Sequence, residues 1–337
     1  MSQTIDVFGV GNAMVDILVM VPDTFLVEHE LAKGAMTLVD AQLQGKLLNA
    51  LEQRKPEVHS KFEMQSGGSA ANTVIAVTQS GGSAFYTGKV AGDPNGEFYR
   101  RDMCDSGVDF DVPPAPEAGA PTGSCLVLTT PDAERTMCTH LGVSTQLSPT
   151  DINLDRLKHC KFSYIEGYLW DPSDPRAASL QVMEESRRHN IKVAFTFSDP
   201  FVVNRFADDF RGITREYCDL VFCNADEVRQ FAETESFETA AKILGERVNL
   251  VFATNGAEGC LVVDHGKLTH VPGFAVDAID TVGAGDAFAG GVLYGLAHGY
   301  SAPQAARWGN YLASRVVTLH GARLPDAIPD QVAKVLG

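Results

Sequence analysis

The 337-residue chain carries 43 acidic against 27 basic residues, a formal net charge of −16 at neutral pH. This charge repels nucleic acid and anionic membranes, so we expect neither as a partner. The length and the 45% share of hydrophobic residues predict one large domain with a smaller appendage. The seven cysteines show no Cys-x-x-Cys pair, which argues against a disulfide framework or a zinc site.

The chain contains no run of about 18 apolar residues, the length that a membrane span requires. Its first residues also lack the basic and then apolar order of a secretion signal. We therefore expect a cytoplasmic protein, as a monomer or a homodimer.

Apolar runs typical of buried parallel strands alternate with amphipathic stretches. Strands are predicted at 5–10, 85–90, 162–166, 192–196, 220–223 and 249–254. Helices are predicted at 41–53, 69–80, 174–189, 225–232, 237–245, 284–298 and 303–319. This alternation predicts an α/β fold with a doubly wound, mainly parallel sheet that is flanked by helices on both faces.

Two segments depart from this alternation. Residues 16–21 with 35–39, and residues 123–130 with 135–141, are predicted to form short strands of a separate antiparallel β patch. The second pair follows the Pro-rich stretch 113–121.

A Gly-rich turn is the most informative feature of the chain. Residues 280–286 read Asp-Thr-Val-Gly-Ala-Gly-Asp and precede an apolar helical stretch. Such a turn can direct several backbone N–H groups at one anion while Asp286 lies in the first helical turn. Phosphoryl transfer needs both parts, because the donors hold charge on the phosphate and the carboxylate accepts the proton of the attacking hydroxyl. The alternative is a plain Gly-rich turn with a capping aspartate.

A second Gly-rich segment lies at 67–72, and a third stretch, Gly-Lys-Val-Ala-Gly-Asp-Pro-Asn-Gly, lies at 88–96. With 280–286, these segments resemble the two signature regions of the PfkB (ribokinase-like) family of sugar and nucleoside kinases. The resemblance extends over nearly the whole chain and implies ATP-dependent phosphoryl transfer. It also implies a large domain of residues 1–13, 40–118 and 142–337, with a small β-sheet lid of residues 14–39 and 119–141. In the family this lid folds over the edge of the main sheet where ligands of open α/β folds bind, and we expect the same here.

The sequence does not match two other phosphate-binding motifs that it resembles in part. Residues 9–14 begin like a dinucleotide-binding fingerprint, but Met14 replaces the third glycine. Residues 82–90 approach the P-loop pattern, but Val90 replaces the Ser or Thr that binds magnesium. We therefore reject a Rossmann dehydrogenase and a Walker-type ATPase.

The resemblance implies catalytic roles. Asp286 matches the general base, and Gly283, Ala284 and Gly285 match the anion hole. Arg135, in the second lid segment, matches an arginine that reaches the transferred phosphate, where a planar guanidinium can clamp two oxygens. The alternative for Arg135 is a surface salt bridge with Glu134 or Asp132.

Further residues match the ATP side. Asn224 and Glu227 resemble the family's Asn-x-x-Glu motif, whose glutamate organises Mg²⁺ and its waters. The alternative is a helix capping box. Asp280 matches part of a monovalent-cation site, which makes potassium a possible second ion.

The family's nucleotide loop is matched by Thr254, Gly256 and Gly259, which lie near the ATP phosphates and ribose in relatives. The alternative is a plain β-turn. Asn310 matches an asparagine near the adenine of ATP, and its alternative is a solvated helix asparagine.

On the acceptor side, Asp16 matches an aspartate that binds two adjacent hydroxyls, and a buried carboxylate there penalises a substrate that lacks one of them. Asn12, Gly68 and Asn72 match other acceptor contacts, and Gly67 permits close approach. The alternative for Asn72 is a hydrogen bond to its own helical turn.

The segments around Asp16, Arg135 and residues 164–170 resemble the adenosine kinase branch more than ribokinases or fructokinases. An apolar and aromatic wall suits a flat base, because stacking favours it. The candidates for the wall, each of which could instead be ordinary core, are Met36, Leu141, Tyr168 and Trp170.

The interpretation is an ATP- and Mg²⁺-dependent nucleoside kinase, with adenosine converted to AMP. The alternatives are a kinase of a free furanose, a kinase of inosine or guanosine, and a non-catalytic ligand-binding protein on the same fold. Asp199 stands where many relatives have a small neutral residue, and we expect it to cap the next helix.

Overall fold

A computed structural model of the chain describes residues 4–54, 62–132 and 134–337. Within these residues the strands form two sheets. Their bounds are β1 Ile5–Val10, β2 Met14–Met20, β3 Met36–Leu38, β4 Glu63–Gly67, β5 Ala84–Thr87, β6 Val108–Asp109, β7 Gly123–Thr129, β8 Arg135–His140, β9 Cys160–Glu166, β10 Lys192–Thr196, β11 Leu220–Asn224, β12 Leu250–Thr254, β13 Cys260–Asp264 and β14 Lys267–Val271.

The helices connect these strands, and many begin at a capping side chain. Asp40 accepts a hydrogen bond from the Leu43 amide, and Asp93 accepts one from Gly96. The α-helices are α1 Asp23–Glu28, α2 Ala41–Gln53, α3 Ser69–Gln79, α4 Pro94–Asp105, α5 Leu154–Leu157, α6 Ser173–Arg188, α7 Pro200–Arg205, α8 Ala207–Glu216, α9 Ala225–Ala232, α10 Phe237–Gly245, α11 Ala284–Ala297, α12 Ala302–Val316 and α13 Val332–Leu336.

The large sheet has the order β14-β13-β12-β11-β10-β9-β1-β5-β6. Its strands from β12 to β6 are parallel, whereas β13 and β14 add an antiparallel edge. The prediction of a doubly wound, mainly parallel sheet is confirmed. Because parallel strands end at one edge, the sheet brings together the segments that follow β1, β9, β11 and β12.

Helices cover both faces of this sheet, as neighbouring residues of β1 show. Val7 packs in a cluster with Val74 of α3 and Phe288 of α11, whereas Phe8 packs on the other side with Phe85 and Leu169. All six residues of β1 are buried, which explains its continuous apolar run. No helix in the described ranges is long and apolar enough to cross a membrane.

The small sheet, which we call the lid sheet, has the order β3-β8-β7-β2-β4. The prediction of an antiparallel patch is wrong: the sheet is mixed, because β2 pairs with β7 and β3 with β8 in parallel. The predicted lid omitted β4, and the boundary at residue 40 placed α2 in the large domain. The structure corrects both points: β4 pairs with β2, and Gln44 of α2 donates to the carbonyl oxygens of Ser124 (3.0 Å) and Cys138 (3.3 Å). The sequence of β4, Glu-Met-Gln-Ser-Gly, lacks the β-branched and aromatic residues that signal a strand.

Candidate active site

The first turns of α3 and α11 meet beside the lid sheet. Asp286, in the first turn of α11, accepts a hydrogen bond from Ser69 Oγ on Oδ1 (2.7 Å) and one from Asn72 Nδ2 on Oδ2 (3.1 Å). Asn72 therefore bonds across to α11 and not to its own turn. Burial raises the pKa of Asp286 to about 6, although both hydrogen bonds oppose that shift. A carboxyl with this pKa can accept a proton near neutral pH.

The turn before Asp286 has the shape that an anion hole requires. Gly283 lies in the left-handed region (φ 76°), and a Cβ there would stand 2.2 Å from the Ala322 carbonyl oxygen. Helix geometry leaves the first amides of α11, including that of Gly285, without intrahelical acceptors. The Ala284 amide instead points toward the Thr281 carbonyl oxygen (3.3 Å). Of the three predicted residues, Ala284 is thus the one whose amide has an acceptor within the turn.

Arg135 lies at the start of β8 and forms a buried ion pair. Its Nη2 is 2.6 Å from Asp280 Oδ2, and both side chains are less than a tenth exposed. The alternative, a surface salt bridge with Glu134 or Asp132, is therefore wrong. This pair joins the lid sheet to the segment that precedes the Gly-rich turn.

Asp280 accepts from three donors. Besides Arg135, its Oδ2 accepts from the Gly321 amide (3.1 Å) and its Oδ1 accepts from the Val282 amide (3.1 Å). These bonds fix the carboxylate between the lid sheet and the loop after α12. A monovalent cation at Asp280 stays a prediction.

Asp16 projects from β2 beside β4. A Cβ at Gly67 would stand 2.3 Å from an Asp16 carboxylate oxygen, so only glycine permits this approach. Burial raises the pKa of Asp16 to about 7, while the charges of Arg323 and Arg135 oppose the shift and the charge of Asp286 adds to it. The charge of Asp286 therefore acts on Asp16.

Glu166, at the end of β9, is a buried residue to which the sequence assigned no role. Its Oε1 accepts from the backbone amide (2.7 Å) and Nδ2 (2.9 Å) of Asn12, and its Oε2 accepts from the Ala70 amide (2.8 Å). Burial raises the pKa of Glu166 to about 7 despite these bonds. Glu166 therefore holds Asn12 next to the first turn of α3, the helix that follows Gly68.

Arg323, in the loop after α12, was also missed. It donates to Ser66 Oγ of β4 (3.0 Å) and to Asp102 Oδ2 of α4 (2.5 Å), and Asp102 also accepts from the Ser66 amide (2.8 Å). The loop therefore holds the strand opposite Asp16. No motif marks Arg323, because its partners lie far away along the chain.

Asn224 and Glu227 form the capping box that was offered as the structural alternative. Asn224 Oδ1 accepts from the amides of Asp226 and Glu227 (both 2.9 Å), while Glu227 accepts from Asn224 N (2.9 Å) and Nδ2 (2.8 Å). Glu227 is buried, and this burial raises its pKa to about 7, with further contributions from the charges of Asp199, Asp226 and Asp286. A cation nearby would favour its ionised form.

The nucleotide-loop residues follow β12 at the same sheet edge. Thr254 ends the strand, Gly256 is exposed, and Gly259 is packed against Val271. Asn310 is not solvated as its alternative supposed: it is buried, and Nδ2 donates to the carbonyl oxygens of Val271 (3.0 Å) and Pro272 (3.1 Å). Its amide nitrogen thus anchors the segment after β14.

The predicted base wall is only partly assembled. Trp170 lies in the aromatic core with Phe195 and Phe210, so its place in the wall is wrong. Tyr168 is half-buried, and its hydroxyl donates to the Ser198 carbonyl oxygen (3.1 Å). Leu141 is also half-buried, and Met36 is exposed. The expected cap is confirmed, because Asp199 accepts from the Phe201 amide (2.7 Å).

The strand register places Met36 and three further apolar side chains in one row on the lid sheet. Leu18 pairs with Val127, Val127 pairs with Met137, and Met137 pairs with Met36. Paired residues share a face, so this row, which we call the apolar row, lies next to the row that contains Asp16. A pocket open to solvent is lined by Asp16, Leu18, Gln65, Cys125, Val127, Arg135, Met137, Val282, Gly321 and Ala322.

Comparisons with known proteins show the family of this chain. A solved structure of adenosine kinase from Sinorhizobium meliloti is 34% identical, with a TM-score of 0.87 and 99% of each chain covered. 5-Dehydro-2-deoxygluconokinase 2 from Bacillus cereus is 28% identical, over 84% of this chain and 88% of its own. Adenosine kinase 2 from Arabidopsis thaliana is 28% identical, over 94% of this chain and 95% of its own. The model of the pfkB family of carbohydrate kinases matches residues 38–329, and the chain belongs to this family of ATP-dependent kinases.

Proposed function

We propose that this kinase transfers the γ-phosphoryl group of ATP to the 5′-hydroxyl of a nucleoside, and that adenosine is its acceptor. The observation that carries the proposal is the apolar row of the lid sheet beside Asp16. A nucleoside presents a vicinal diol next to a flat apolar base, and the two neighbouring rows match these two halves. The similarity to adenosine kinases over nearly full length supports the same acceptor.

Asp16 would bind the two ribose hydroxyls with its two carboxylate oxygens. Their donation favours the ionised carboxylate, so acceptor binding lowers the raised pKa of this group. Asn12, Gly68 and Asn72 stay predicted acceptor contacts. Asn12 is held ready by Glu166, which reduces the loss of freedom on binding.

Asp286 would take the proton from the 5′-hydroxyl as that oxygen attacks the γ-phosphorus. Its burial keeps the carboxylate basic, and the N-terminus of α11 beside it stabilises charge on the phosphate oxygens. Arg135 would contact the transferred phosphoryl group when the phosphate competes with Asp280 for the guanidinium. A lid residue then couples acceptor binding to phosphate binding.

Magnesium fits the ATP side through its water ligands. Among the described residues no group of three His, Cys, Asp or Glu side chains is arranged to hold an ion. Each carboxylate oxygen of Glu227 accepts one bond from Asn224, and the remaining lone pairs would hold a water of the ion, while the phosphates would supply other ligands. The bound ion would neutralise phosphate charge.

A sugar or sugar acid is the second candidate acceptor. The pocket beside Asp16 also contains the polar side chains of Gln65 and Arg135, which suit hydroxyl or carboxylate groups. The similarity to a 5-dehydro-2-deoxygluconokinase supports this candidate. The two candidates differ in whether the apolar row contributes to affinity.

The test is ADP formation from Mg-ATP with adenosine, 2′-deoxyadenosine, inosine, guanosine, ribose, fructose and 5-dehydro-2-deoxygluconate. We expect adenosine to give the highest kcat/KM, and 2′-deoxyadenosine to lose roughly tenfold or more because one carboxylate oxygen of Asp16 is left unpaired. In Met137→Gln, kcat/KM should fall for adenosine and stay unchanged for ribose. A sugar or sugar acid with kcat/KM equal to or above that of adenosine would overturn the nucleoside assignment.

A further inference from the structure

Asp286 is held from outside its own helix. Both carboxylate oxygens accept from α3, which lies more than 200 positions earlier in the chain: Ser69 Oγ is 217 residues away and Asn72 Nδ2 is 214 residues away. The hydroxyl bond is the shorter, at 2.7 Å against 3.1 Å. The predicted base thus has its orientation set by a different part of the sequence.

The two bonds leave each carboxylate oxygen with a lone pair for a further donor. An acceptor hydroxyl must approach one carboxylate oxygen to within hydrogen-bond distance before its proton moves. The longer bond, from Asn72 to Oδ2, is the easier one to exchange, and Asn72 also matches an acceptor contact. Oδ1, with its short bond from Ser69, then stays fixed while Oδ2 turns to the substrate.

We propose that Ser69 is the positioning residue of the base: its hydroxyl holds Oδ1 of Asp286 and thereby presents Oδ2 to the acceptor hydroxyl. The inference rests on the proposed function only in that Asp286 is the base. It holds for a nucleoside and for a sugar acceptor alike.

The position of Ser69 is itself fixed by packing. It is the first residue of α3, and the next amide, that of Ala70, donates to the buried Glu166 (2.8 Å). Farther along, Gly290 of α11 lies so close to α3 that a Cβ there would stand 2.5 Å from Thr73 O. The two helices therefore have little freedom to separate, and the Ser69 hydroxyl stays within reach of Asp286.

A hydroxyl that donates to a carboxylate also stabilises its ionised form. Loss of Ser69 Oγ should therefore raise the pKa of Asp286, which opposes proton abstraction at low pH. Burial raises the pKa of five other groups, and the charge of Asp286 adds to each shift: Asp16, Tyr164, Glu166, Tyr168 and Glu227. A change in the pH profile must therefore be assigned to Asp286 and not to one of these groups.

The decisive variant is Ser69→Ala, measured over pH 5 to 9 with whichever acceptor the substrate panel identifies. We expect kcat to fall roughly tenfold or more with little change in the acceptor KM, and the acidic limb of the profile to move up by about one pH unit. Ser69→Thr keeps the hydroxyl and should restore both values.

Thr78→Val is the matched control. Thr78 lies on the same helix, and its hydroxyl donates to the carbonyl oxygens of Ile75 and Ser106 (both 2.8 Å). Thr78→Val removes a hydroxyl of α3 that does not contact Asp286. It should lower the stability of the protein and leave the acidic limb of the pH profile of kcat unchanged.

A second readout does not need turnover. The Asp286 carboxyl can be titrated by ¹³C NMR in Asp-labelled protein, with Asp286→Asn to assign the signal. An upward shift of this titration in Ser69→Ala supports the proposal, and an unchanged titration overturns it. If Asp286→Asn keeps a normal kcat, the base assignment itself fails; if it is inactive while Ser69→Ala has a wild-type profile, only the present inference fails.

Discussion

Two buried carboxylates near helix starts, Asp286 in α11 and Glu227 in α9, show opposite ways of holding an acid. Glu227 accepts from Asn224, three positions earlier, in a capping box. Asp286 accepts from Ser69 and Asn72 on another helix. Burial raises the pKa of both, to about 7 for Glu227 and about 6 for Asp286.

The difference lies in what each carboxylate can do. A capping box ties Glu227 to its own backbone, so its position is set by local geometry and suits a fixed electrostatic role beside a cation. Asp286 is held by two side chains of another helix, and the longer bond, from Asn72, is the one that a substrate can displace. The carboxylate proposed to take part in proton transfer is thus the one with non-local partners.

The largest expected effect is at the displaceable carboxylate. Asp286→Asn keeps the size of the side chain and removes the base, so kcat should fall by about 10²–10⁴ while ATP still binds. Steady-state kinetics and calorimetric ATP titration measure the two properties. Asp277→Asn, an exposed residue of the preceding loop, is the control and should behave as wild type. A normal kcat in Asp286→Asn would contradict the role of base.

A smaller loss of rate is expected at Arg135, which joins the lid sheet to the loop before α11. Arg135→Ala should lower kcat by roughly 10–100-fold, more than it raises the acceptor KM, because the guanidinium acts on the transferred phosphoryl group. Arg135→Lys should recover only part of the rate, since lysine lacks the planar fork. Stopped-flow and steady-state assays measure these rates.

Two controls separate this role from general electrostatics. Arg188→Ala removes an exposed ion pair with Glu185 and should leave kcat unchanged. Asp280→Asn frees Arg135 without removing it, so it should retain more activity than Arg135→Ala. Equal kcat values for Arg135→Ala and wild type would show that the ion pair serves only to close the lid sheet.

The smallest effect is expected at the locally held carboxylate. Asn224→Ala removes the cap of α9 and should lower the free energy of unfolding by about 1 kcal/mol. It should also raise the Mg²⁺ concentration needed for half-maximal rate, because Glu227 loses its fixed orientation. Urea unfolding and a Mg²⁺ titration measure both.

The control for this variant is Asn153→Ala. Asn153 caps α5 by accepting from the Arg156 amide (3.0 Å), away from the sheet edge where α9 begins. It should lose similar stability with no change in the Mg²⁺ requirement. The same Mg²⁺ requirement in both variants would contradict a role of Glu227 in ion binding.

Local signals determined much of this protein. The apolar runs predicted the parallel strands of the large sheet, because strands buried on both faces need continuous hydrophobic sequence. The spacing of Asn224 and Glu227 gave a capping box as the alternative to an ion-binding role, and the Gly-rich turn predicted Asp286 in the first turn of a helix. In these last two cases the groups that define the feature lie within one short segment, so their spacing carries the geometry.

Only the tertiary structure decided the partners that lie far apart. Ser69 against Asp286, Arg135 against Asp280, and Arg323 against Asp102 join segments whose sequences give no sign of each other. The apolar row likewise depends on the register of four strands, and a slip of one residue would turn it to the other face. The polar strand β4 was missed because its place in the sheet comes from pairing with β2 rather than from its own composition.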